Sequence, residues 1–87
     1  MAIQIDAHTL ERAEERGTNE EEIRDVVLTG EPIPAKKGRL ARMKVYALLG
    51  LRHGKRYEEK RVEVIFTEKD RDIVTVTVYV FYGRWER

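Results

Sequence analysis

The stretch Ile73-Val74-Thr75-Val76-Thr77-Val78-Tyr79-Val80-Phe81-Tyr82 is a long uncharged run of β-branched and aromatic residues. Such residues suit a pleated, half-buried surface, and successive side chains of a strand point to opposite faces. The pattern predicts a strand over residues 73–82 with Val74, Val76, Val78 and Val80 on one face. Thr75, Thr77, Tyr79 and Phe81 then share the other. Four valines in a row of contacts need a partner layer, so that face is expected to pack on helices. A face of hydroxyls and rings is left open.

Working back from this strand, Val62, Val64 and Phe66 alternate within residues 57–67, and the polar residues 68–71 read as the turn that joins the two. Further upstream, Met43, Val45, Ala47 and Leu49 alternate with Arg42, Lys44, Tyr46 and Leu48 as another strand, followed by a turn near His53-Gly54. Both prolines fall in residues 31–38, which read as a loop. Nearer the start, Asp6 can cap a helix over residues 7–16, with Ala7, Leu10 and Ala13 on one face and Gly17 ending it in the left-handed conformation. Thr18 with Glu21, or Asn19 with Glu22, opens a second helix whose Ile23, Val26 and Val27 point one way until Gly30 stops it. Ile3 and Ile5 alternate with polar or small residues as a short first strand. The expected fold is α+β with the order β-α-α-β-β-β, a helical hairpin packed on an antiparallel sheet.

At 87 residues the chain has room for one core, and no repeat or Pro/Gly/Ser linker divides residues 1–87. It contains no cysteine and no serine, which removes disulfide frameworks, thiolate metal sites, cysteine nucleophiles and serine triads together. No run is long enough to span a bilayer, and the first residues lack a basic-then-apolar leader pattern, so a cytoplasmic location is expected. Residues 1–35 hold nine acids and three bases, a balance of −6, whereas residues 36–87 hold seven acids and fourteen bases, a balance of +7. Arg39, Arg42, Lys44, Lys60 and Arg61 belong to that basic half and are candidates for contact with nucleic-acid phosphates. The alternative is that these cations solvate a sheet edge and discourage strand pairing.

His8, Arg12 and Arg16 are spaced four apart, so on a helix they form one stripe. Histidine serves proton transfer near neutral pH, and two guanidiniums beside it can hold a phosphate and stabilise its charge in a transition state. That combination suits phosphodiester cleavage. In the competing reading, Arg12 and Arg16 simply pair with Glu11, Glu15 or Asp25. The glycines of Gly50-Leu51-Arg52-His53-Gly54-Lys55 are one residue too close for a phosphate loop, and Arg56 stands where a Ser or Thr would bind magnesium. With His53 the only other imidazole, in a turn, neither a metal site nor a cofactor is expected.

The pattern His8-x3-Arg12-x3-Arg16-Gly17, a second capped helix, and the Val/Thr/Tyr alternation of residues 74–79 together resemble the family known as domain of unknown function 4258, over almost the whole length. Thr18 departs from it, standing where an isoleucine is usual. The resemblance implies a small toxin-type ribonuclease of the broad group that includes RelE, barnase and the colicin nucleases, with a RelE-like fold. On that reading the chain is a metal-independent endoribonuclease in which His8 transfers protons. Arg12, Arg16 and Arg61 hold the phosphate, and Thr75 and Tyr79 lie on the sheet beneath the RNA. Its partners would be RNA and an antitoxin protein, without a membrane, in a monomer or homodimer. The alternative is a module that binds RNA or protein without breaking a bond.

Overall fold

The caps fix both helices. In the computed structural model, which describes residues 1–48 and 50–85, the Asp6 carboxylate accepts the Thr9 N–H at 3.1 Å and opens α1 (Ala7–Arg16). Gly17 closes it at φ 95°, a left-handed conformation that favours glycine. Of the two caps the sequence allows for α2 (Glu20–Thr29), Asn19 is used, accepting the Glu22 N–H at 2.8 Å, and Glu20, Glu21 and Glu22 place negative charge on the positive end of the helix. Gly30 donates its N–H to Val26 and needs to be glycine for space: a Cβ there would come 2.9 Å from the Met43 carbonyl oxygen.

Seven strands accompany these helices among the described residues: β1 (Ile3–Gln4), β2 (Glu31–Ile33), β3 (Leu40–Ala47), β4 (Leu51–Arg52), β5 (Lys55–Arg56), β6 (Glu59–Lys69) and β7 (Asp72–Gly83). The α+β class with two helices and a largely antiparallel sheet holds, and the observed order has three strands more than the expected β-α-α-β-β-β. One is β2, inside the segment read as a loop. It pairs with the outer edge of β3, where Pro32, opposite Arg42, needs no N–H for a further neighbour. The others are β4 and β5, a two-stranded hairpin around His53 (φ 52°) and Gly54 (φ 75°), the paired positive angles of a tight hairpin turn. Residue 49, expected to end β3, lies outside the described residues.

The five-stranded sheet runs β1-β7-β6-β3-β2, with β1 parallel to β7 and every other pair antiparallel. Both helices cover one face. Ala13, Ile23, Val26, Val27, Val62, Val64, Phe66, Ile73 and Val78 are buried between the layers, each large aliphatic side chain contributing about 1.5–3 kcal/mol of burial. None of the described helices is long and apolar enough to cross a membrane.

Two facial assignments need correction. Ile65 pairs with Thr77 but Phe66 pairs with Thr75, so Val76 is an extra residue and a bulge reverses the parity of β7. Val78 and Val80 face the helices as expected, but before the bulge that face belongs to Ile73 and Thr75, not Val74 and Val76. On α1 the buried residues are Thr9 and Ala13, while Leu10 is 39 % exposed. A threonine can take the inward position because its hydroxyl finds polar partners there, as described next.

Candidate active site

Asp6, Thr9 and Thr75 form a closed polar set under the start of α1. The Thr9 hydroxyl donates to Asp6, Thr75 lies 3.0 Å from the Thr9 hydroxyl, and the Asp6 N–H donates to the Thr75 hydroxyl at 3.2 Å. Burial works to raise the Asp6 carboxyl, but the hydrogen bonds from Thr9 and Thr75 outweigh it and leave it below its ordinary value, with His8 nearby adding to the effect. Thr75 is 2 % exposed. Its placement on an open sheet surface beneath a substrate is therefore corrected: the bulge turns it inward, where it ties β7 to α1. The threonine that shares the outer face with Tyr79 is Thr77, a residue the strand pattern alone could not separate from Thr75.

His8, Arg12 and Arg16 do form one stripe, bordering the Thr9 and Ala13 face of α1 that packs on β7. His8 is exposed and makes no hydrogen bond to a described residue. Arg12 donates to Glu15 at 2.7 Å, with its side chain about a third exposed, a surface pair weak enough to yield to a phosphate. The structural pairing considered from spacing thus holds for Arg12. Arg16 takes a different route. Because β1 covers only Ile73 and Val74 of β7, the edge carbonyl of Val78 is open, and Arg16 Nη1 donates to it at 2.6 Å. The guanidinium carries on past the edge to lie 5.1 Å from the centre of the Tyr79 ring. Helix stripe and outer sheet face meet there.

Tyr79 and Phe81 lie side by side on that face, ring centres 6.4 Å apart and 28° from parallel, and both remain more than 40 % exposed. Next to them, Tyr82 turns to the helical side and donates its hydroxyl to the Arg16 carbonyl, locking the end of α1 to β7; burial pushes its hydroxyl pKa up. Arg52, from the small hairpin, donates to the Glu15 carbonyl at 2.6 Å and lies 5.4 Å from the Tyr82 ring centre. The hydrogen bonds from Tyr82 and Arg52 together fix the helix C-terminus from which Arg16 projects.

The five cations expected to meet phosphates do not share one surface. Alternation sends Arg42, Lys44 and Lys60 to the helical side, opposite Val64, Val62 and Tyr46 in register. Lys44 binds Asp25 at 2.8 Å, and Lys60 binds Glu22 at 2.7 Å and the Gly17 carbonyl at 2.9 Å. Lys60 is therefore a largely buried tie between α2, the end of α1 and the sheet. Asp25 also accepts from Tyr46 at 2.5 Å. Hydrogen bonds from Lys44, then Tyr46 and Thr29, bring its carboxyl down to about 2, while burial and Asp25 push Tyr46 up. Arg61 is on the outer face, 2.8 Å from Glu63, and Arg39 belongs to the loop between β2 and β3. Among the described residues, no three His, Asp or Glu side chains group as ligands for a metal.

The site that emerges is a strip at the free edge of β7 made of Arg16, Tyr79 and Phe81, with Thr77 and Arg61 on the same outer face. Arg16 can hold an anion beside the exposed rings, while His8 and Arg12 lie further back along the same stripe of α1 and have no contact with the rings among the described residues. No curated protein and no solved structure matches the chain significantly. A family described as domain of unknown function (DUF4258) matches residues 5–80, from the residue before the Asp6 cap to the last valine of β7. That span holds both helices, the stripe and Tyr79, and the chain belongs to the family of the domain of unknown function 4258.

Proposed function

We propose that the chain is a metal-independent endoribonuclease of the toxin type, with a RelE-like arrangement of helical hairpin and sheet, acting on cytoplasmic RNA and restrained by an antitoxin protein. The substrate supplies its own nucleophile: the 2′-oxygen bonds to the adjacent phosphorus as the bond from phosphorus to the 5′-oxygen breaks. His8 accepts the 2′-hydroxyl proton, and water on the opposite side of the phosphorus protonates the departing 5′-oxygen. Arg12 and Arg16 face the charge that grows on the phosphoryl oxygens, Arg61 supports the flanking backbone, and Tyr79 carries the ribonucleotide. The observation that carries this reading is the contact of Arg16 with Tyr79, which joins the helical stripe to the face of the last strand. The test is cleavage of RNA in the presence of a chelator. His8→Ala is expected to lower the rate about 10²- to 10⁴-fold and Arg16→Ala about 10²- to 10³-fold. Absence of cleavage by the wild-type chain, or equal rates in all three, would overturn it.

A second reading, RNA binding without cleavage, is favoured by a specific observation: no described group orients the His8 ring by a hydrogen bond, and Arg12 is engaged by Glu15. In that case His8→Ala leaves RNA affinity unchanged and no product forms. Expression of the nuclease would also be toxic to the host in a way that His8→Ala relieves, whereas a binding module would be tolerated in both forms.

A further inference from the structure

A cavity of about 400 Å³ lies between the loop joining β2 to β3 and the outer face of the sheet, next to the strip just described. Its volume falls within the range of small-ligand sites. Pro34 and Ile65 give it apolar walls, Tyr79 supplies an aromatic side, and Thr77 contributes a hydroxyl that no described residue engages. Lys36 and Arg39 stand in the same lining, and no carboxylate does. The loop that leaves β2 after Ile33 and rejoins the sheet at β3 lies over the outer face where Ile65 and Thr77 are opposite each other.

We propose that this cavity seats one unpaired base of a single-stranded nucleic acid, stacked on Tyr79, with the neighbouring phosphates on Lys36 and Arg39. The inference rests on the nuclease reading only for the identity of the substrate as RNA; it adds which part of the strand the fold grips and on which side of the cleaved phosphate. A ring stacked on Tyr79 has Arg16 on one side and the cavity cations on the other, so the strand would run across the rings from α1 toward the β2–β3 loop. Duplex RNA cannot enter, because its bases are already stacked and paired. Thr77, able both to donate and to accept, tolerates any base edge, and selectivity among bases is expected to be weak.

The experiment measures binding of a fluorescein-labelled RNA dodecamer by anisotropy, on the His8→Ala background so that cleavage cannot deplete the probe. A matching DNA strand and an RNA duplex serve as comparisons. Single strands are expected to bind and the duplex to bind at least tenfold more weakly. Tyr79→Leu should weaken the single strand by between about 5-fold and about 150-fold, with Tyr79→Phe restoring most of it. Lys36→Ala with Arg39→Ala should lower the slope of log affinity against log salt by roughly 0.7 for each cation removed. Equal binding of duplex and single strand, or an affinity and salt slope untouched by these substitutions in chains of unchanged thermal midpoint, overturns the proposal. Its fate separates from that of the nuclease. Binding with this pattern and no cleavage by the wild type keeps the base site and discards catalysis; cleavage that ignores Lys36 and Arg39, with duplex bound as well as single strand, does the reverse. Preference of the DNA strand over RNA would keep the seat and discard the substrate.

Discussion

Thr75 and Thr77 are two residues apart in an alternating strand and have unlike surroundings. The first is buried against Thr9 and Asp6, whereas the second lies beside Tyr79 on the open side. Thr75→Val leaves the Asp6 N–H and the Thr9 hydroxyl short of a partner and is expected to cost about 1–2 kcal/mol, whereas Thr77→Val should stay within about 0.5 kcal/mol. Urea midpoints of the two variants check the difference; equal losses would remove the inward role of Thr75. Asp25 gives a second test, through pH. Its folded value near 2 lies below the ordinary carboxylate value of about 3.9, so its ion pair contributes stability in full above pH 4 and loses it as the pH falls toward 2. Asp25→Asn is therefore expected to be less stable than wild type at pH 7, with the two curves converging between pH 4 and 2. A gap that is constant across urea titrations at pH 7, 4 and 2.5 would contradict that linkage.

At the level of elements, the helices could be read directly because their limits are chemical: an Asp or Asn before the first turn and a glycine after the last. The bulge in β7 could not, since Val74 to Tyr79 repeats Val-x with the same parity on either side of Val76 and nothing in the pattern marks the skipped pairing. β2 was hidden by its proline and its length of three residues, and is held by the neighbour it finds in β3. The turn between β6 and β7 is tighter than the polar residues 68–71 imply, because Glu68 and Lys69 pair within β6, and Asp70 (φ 52°) and Arg71 (φ 77°) both adopt left-handed angles with ordinary side chains. Such a residue is disfavoured by roughly 1–2 kcal/mol relative to glycine. Arg71→Gly gives this two-residue hairpin its preferred Asp-Gly sequence and, after glycine's larger loss of chain entropy, should still raise the thermal midpoint by a few degrees. Calorimetry decides it, and a lowered midpoint would count against the strain.

Across the whole molecule, the sheet and both helices share one core while β4 and β5 pair only with each other. Hydrogen exchange should divide along that line, with the amides of β6 and β7 near Val64 and Val78 slowest and those of residues 51–56 exchanging first. A hairpin protected as well as β6 would mean that Arg52, through Glu15 and Tyr82, binds it more firmly than two contacts suggest. The site spans this molecule in a way composition could not convey. By position in the chain its charges form one basic half, but strand alternation sends Lys44 and Lys60 to carboxylates on α2 and turns Arg61 to the face of the exposed rings, where Arg39 arrives from the loop between β2 and β3. The helical stripe was legible from spacing. That Arg16 alone would round the sheet to reach Tyr79 depended on how little of β7 a two-residue β1 could cover.

The occupied carbonyl of Val78 also makes the molecule a poor template for its own kind. A second copy seeking to lengthen the sheet along β7 finds that acceptor taken and a bulky cation standing in its path. Arg16→Ala would expose the vacant rung, and its sedimentation coefficient is expected to climb with concentration where that of the wild type does not. Solubility and ligand contact would then depend on the same side chain, so selection for either would preserve both.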